Sequence, residues 1–122
     1  LKVIIPSETD RLDAPVFGSF GRAPWFAFAD TVQNTIKFIE NGAMGSAGGA
    51  GVKAAQTALK SGAEAVIAPR MGQNAAEIFA AADVKVYKAK AGSIEENITW
   101  LAAGKLELLT QIHPGSHGGM HS

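Results

Sequence analysis

From Val52 to Gly104 the chain alternates helix-type and strand-type patterns, and this alternation limits the available folds most. Val52, Ala55 and Leu59 recur at helical spacing, and Gly62 is placed to stop that helix. Ala65–Ala68 is a short apolar run closed by Pro69, the pattern of a buried strand. Asn74 with Glu77 matches a capping box and predicts a helix through Ala82, with Ile78 and Phe79 inward. Val84–Tyr87 reads as another strand. Ser93 with Glu96 is a second capping-box pattern, Ile94, Ile98 and Leu101 then share a helical face, and Gly104 ends it. Strands separated by helices imply parallel pairing through right-handed crossovers.

The upstream half reads differently. Val3-Ile4-Ile5 predicts a central strand stopped by Pro6, and a long loop with Pro15, Gly18, Gly21 and Pro24 follows. Trp25–Ala29 and Thr35–Glu40 read as strands joined by a turn at residues 31–34, which makes an antiparallel hairpin. Leu106–Ile112 reads as a short strand or an extended arm, and His113–Ser122 as a Gly- and His-rich tail. The expected organisation is one α/β domain over residues 1–105, then an arm and tail over 106–122. Its sheet is mixed and five-stranded, with helices on its faces.

Composition removes several function classes. The 122 residues carry 11 basic and 11 acidic side chains, so the basic face expected of a nucleic-acid binder is missing. The absence of cysteine excludes disulfides, thiolate zinc sites and cysteine-ligated clusters. The apolar runs are too short to span a bilayer, and the N-terminal residues read as a strand rather than a signal peptide. A cytoplasmic protein is expected, without nucleic-acid or membrane partners.

In open α/β sheets ligands bind beyond the C-terminal ends of the parallel strands. Five loops should meet at that edge: 7 onward, 17–24, 42–51, 69–73 and 89–92. Residues 42–51, Gly-Ala-Met-Gly-Ser-Ala-Gly-Gly-Ala-Gly, hold five glycines before a helix. Such a loop suits close backbone approach to an anion at a helix N-terminus, and equally a flexible connector. Phe17–Phe26 places Arg22 beside Gly21, and Arg70-Met-Gly-Gln-Asn74 leads into the next helix. Both arginines suit an oxyanion, and both suit a solvated surface. His113, His117 and His121 recur every four residues with Met120 among them, a pattern that binds metals or forms a solvated tail. Gly49–Ala54 matches the dinucleotide pattern only loosely and lacks the later acid. Lys53 is not followed by Ser or Thr, so no phosphate-binding P-loop is present. No Ser–His–acid set is visible, because every histidine lies in the tail. The first strand also carries none of the carboxylates a two-metal nuclease needs.

Three segments together resemble the dinitrogenase iron–molybdenum cofactor-binding family, which contains nitrogenase accessory factor-like proteins. They are Phe17–Phe26, the glycine loop running into Gly49-Ala-Gly-Val-Lys-Ala-Ala55, and Arg70-Met-Gly-Gln-Asn-Ala-Ala76 before Val84-Lys-Val-Tyr87. The resemblance covers residues 1 to about 105. It implies a three-layer α/β/α, ribonuclease H-like fold with sheet order 3-2-1-4-5. It also implies non-catalytic binding of a metal–sulfur cluster or its precursor; one member type, the orange protein, holds a molybdenum–copper sulfide cluster non-covalently. Carried over by position, the cofactor-binding candidates are Arg22, Gly48, Gly49, Gly51, Arg70, Met71, Gly72 and Asn74, with Met44 and Ser46 in the loop. Relatives often carry histidine near the places of Phe20 and Met44, where this chain has none. A cluster of molybdenum with copper or iron would therefore bring its own sulfide and be held by N–H donors, arginines and soft methionine contacts. A cluster donor or acceptor protein would be its partner. A nucleotide or phosphometabolite-binding regulatory domain is the alternative reading of the same loops, and a ligand-free interaction module a third.

Overall fold

A computed structural model describes residues 1–42 and 49–109. Five strands run β1 Lys2–Ser7, β2 Trp25–Asp30, β3 Thr35–Glu40, β4 Ala65–Ala68 and β5 Lys85–Lys88. Three helices, α1 Ala50–Lys60, α2 Gln73–Ala81 and α3 Ile94–Ala102, follow β3, β4 and β5. The sheet order is β3-β2-β1-β4-β5. β1, β4 and β5 are parallel, while β2 runs antiparallel to both β1 and β3. Strand alternation sends Ile4, Phe26 and Val66 to a core under α1 and α2, and Val3, Ile5, Ala27 and Ile67 to a core under α3. The result is the expected three-layer α/β/α arrangement.

Local chemistry explains the differences from the sequence reading. Pro6 lies inside β1 rather than ending it. Its carbonyl accepts from the Phe17 N–H, so its nitrogen also faces that loop and the β2 ladder loses no donor. Asn74 does not cap α2. Gly72 occupies the N-cap position, and Glu77 instead accepts from the Gln73 side chain at 3.1 Å. β5 starts one residue late because the Val84 N–H closes α2 on the Phe79 carbonyl, with Asp83 left-handed at φ +60°. The inner face of α1 is alanine (Ala50, Ala54, Ala55, Ala58), while Val52 and Leu59 are only partly buried. Residues 107–109 lie along β5. The Lys88 N–H donates to the Glu107 carbonyl and the Leu109 N–H to that of Val86, covering the outer edge of β5.

The β2–β3 turn carries a pH-dependent contact. The Asp30 carboxylate accepts from the Gln33 and Val32 N–H groups, which hold its pKa below the ordinary value, Gln33 contributing most. A depressed carboxyl stabilises the fold above its unfolded pKa of ~3.9, and that contribution is lost as pH falls through the folded value. Protection of the Val32 and Gln33 amides, taken relative to their intrinsic exchange rates at each pH, is therefore expected to fall below about pH 4 in the wild type, with Asp30→Asn showing no such step.

Candidate functional site

The loops at the C-terminal edge form two interlocked groups. The first lies under α3. Ser93 accepts from the Glu96 N–H while the Glu96 side chain accepts from the Ser93 N–H, the predicted capping box. The Ile94 and Glu95 N–H groups donate to the Ala14 and Leu12 carbonyls, and Val16 donates to Gly92. With Glu95 and Glu96 in its first turn, α3 has a satisfied, negatively charged N-terminus. That end repels an anion. The loop after β1 is therefore spent on structure.

The second group surrounds α1 and α2. Phe20 is the anchor: its ring packs 5.1 Å from Phe26 and edge-on at 5.4 Å to Phe79. This fixes the single 3-10 turn Phe20–Arg22, and the Phe20 N–H reaches the Arg70 carbonyl at 3.4 Å. Gly21 then passes so close to α1 that an added Cβ would lie 2.6 Å from the Cα and N of Gly51. Asn41, at the end of β3, donates from Nδ2 to the carbonyls of Gly21 (3.1 Å) and Ala23 (2.8 Å). Its own N–H donates to Pro24. These contacts tie the turn at 20–24 to Asn41, to the first turn of α1 and to Arg70.

Within this group the helix ends contrast with α3. α1 begins at Gly49, left-handed at φ +71°, and α2 begins at Gly72. Among the described residues neither N-cap offers a side-chain bond, and neither helix has an acidic residue in its first turn. Both positive dipole ends therefore face the same edge, with no acid in their own first turns. Arg22 is exposed beside the first turn of α1, and Arg70 is exposed just before α2. Gly72 and Asn74 are also exposed, and Gly51 is partly buried inside α1.

One candidate moves away from the site. Met71 is 2% exposed and belongs to the core under α1 and α2, so its thioether does not reach the surface. Met44, Ser46 and Gly48, like His113, His117 and His121, lie outside the described residues. Among the described residues no group of three His, Cys, Asp or Glu side chains gathers to hold a metal, and no helix is long and apolar enough to cross a membrane. Asn41 and Phe20 are the residues that sequence reading missed. Phe20 sat in a quoted motif without a role, and Asn41 bonds to atoms about twenty positions away, which no local pattern signals.

Known proteins share this arrangement. A solved structure of the orange protein from Desulfovibrio gigas, in its apo form, superposes with a TM-score of 0.84 at 26% identity, covering 89% of this chain and 92% of that one. A Thermotoga protein, provisionally named as a NifB protein, gives a TM-score of 0.80 at 37% identity over 90% of this chain and 94% of that one. An uncharacterized protein of Methanocaldococcus jannaschii is 32% identical over 110 residues, 88% of this chain and 90% of its own length. The model of the dinitrogenase iron–molybdenum cofactor family matches residues 1–104. The chain belongs to the dinitrogenase iron–molybdenum cofactor family.

Proposed function

We propose that this protein is a non-catalytic carrier for an anionic metal–sulfur cluster, or its precursor, seated at the N-termini of α1 and α2. The supporting observation is the contrast between helix ends. Two N-termini without an acid in their first turns or, among the described residues, an N-cap side-chain bond flank Arg22 and Arg70, while α3 on the other face of the sheet is capped and acidic. Without cysteine, the cluster brings its own sulfide and is held by N–H donors and guanidinium groups. Molybdenum with copper or iron is the composition we assign, by kinship. Protein purified anaerobically should carry visible absorbance with these metals in elemental analysis. Arg22→Ala with Arg70→Ala should lose most of the bound metal while the melting temperature moves little, since both side chains are exposed. Unchanged metal retention in the double variant rejects this site. A colourless, metal-free protein whose melting temperature rises with nucleotides favours a phosphate ligand instead.

A further inference from the structure

A groove runs beside α1 over the β2–β3 end of the sheet, from Asn41 and Gly42 at the margin of the candidate cluster site to the β2–β3 turn. It consists of two hollows of about 330 and 430 Å³ that share Phe28 and Ile39 as floor. Register puts its side chains on one face: Phe26 lies opposite Ile39, Phe28 opposite Lys37, and Lys2 opposite Asp30. The helical wall is Lys53, Gln56, Thr57 and Lys60, at i, i+3, i+4 and i+7. Lys37 and Lys60 make no ion pair among the described residues, and the Asp30 carboxylate is engaged by the turn N–H groups. In a chain of zero net charge, the lining gathers four lysines (Lys2, Lys37, Lys53, Lys60) against two acids, Asp30 and Glu40, around one apolar floor, and Glu40 alternates with Lys37 and Ile39 to the opposite face of β3.

The far wall is backbone. β3 is an outer strand, and among the described residues nothing pairs with its outer edge, whereas β5 is covered by residues 107–109. An unpaired edge offers alternating N–H and C=O groups, which another extended polypeptide satisfies and a nucleic-acid backbone does not. On the face away from α1, β3 presents the half-buried Ile36 and Phe38. A strand added here would point every second side chain toward the lysines and the others toward these apolar groups.

We propose that the β3 edge and this groove dock an extended segment of a partner protein in which acidic and apolar residues alternate. Titrating the ¹⁵N-labelled protein with a short capped peptide alternating Glu and Val should shift resonances of residues 35–40 and 53–60. Affinity should fall at least ~10-fold in K37E/K60E and by less in K37Q/K60Q, both variants keeping a dispersed spectrum because these side chains are exposed. The same peptide with Lys for Glu should not bind. Equal binding of the Lys peptide, or shifts confined to residues 20–22 and 70–74, would overturn the proposal. So would concentration-dependent shifts at residues 35–40 without peptide, which would make a second copy the occupant.

Discussion

Gly21→Ala is expected to destabilise the fold by about 1–3 kcal/mol, lowering the melting temperature by roughly 4–15 °C. The new Cβ would sit 2.6 Å from backbone atoms of Gly51, and backbone cannot rotate away as a side chain can. The turn or the helix must move, and Phe20, wedged between Phe26 and Phe79, resists the first. Gly51→Ala provides the contrast. Among the described residues its Cβ meets the Ala75 methyl alone, at an ordinary 3.5 Å, inside a helix where alanine is favoured by ~0.5–1 kcal/mol. That variant should melt at or above the wild-type temperature. Circular dichroism melts of the two check the prediction; equal effects would mean that the close approach is not what requires glycine at 21.

Asn97→Ala should cost about 3 kcal/mol, although the residue lies on a helix where alanine is the better helix former. Asn97 is fully buried. Its Nδ2 donates to the carbonyls of Lys90 and Ser93 at 3.0 Å, and its Oδ1 accepts from the Lys90 N–H at 2.9 Å. Removing it leaves the Lys90 N–H and carbonyl without this partner, while the Ser93 carbonyl keeps the Asn97 backbone N–H. Asn97→Asp separates the two halves of this clamp. A carboxylate keeps the Lys90 N–H but faces two carbonyls it cannot donate to, so burial raises its folded pKa. Its stability should then be greatest at low pH and fall as pH rises through that value, opposite to the sign at Asp30. Urea titrations at about pH 4 and pH 7 distinguish this from simple loss of packing.

Legibility in the sequence followed the range of the interactions. β3 and β4 lie where their patterns place them, and the α3 capping box is made by Ser93 and Glu96, because these signals span a few residues. Pro6 misled because its effect depends on which neighbour its nitrogen faces. Asn74 misled because the strand-to-helix junction puts Gly72 at the cap. Met71 read as a soft ligand beside Arg70, yet alternation at that junction turns it into the core. The contrast between the closed end of α3 and the open ends of α1 and α2 was half visible. The acids of α3 stand in the sequence, while the loop bonds that seal its end come from residues 12–16, some eighty positions upstream.

The arm over β5 also fixes how this sheet can grow. With residues 107–109 laid along one side, only the β3 side of the described chain can accept another strand. A sheet open at both margins propagates into fibrils. A sheet covered at one margin grows from the other alone. Among the described residues, three residues of arm therefore leave β3 as the margin at which an edge-to-edge complex would form.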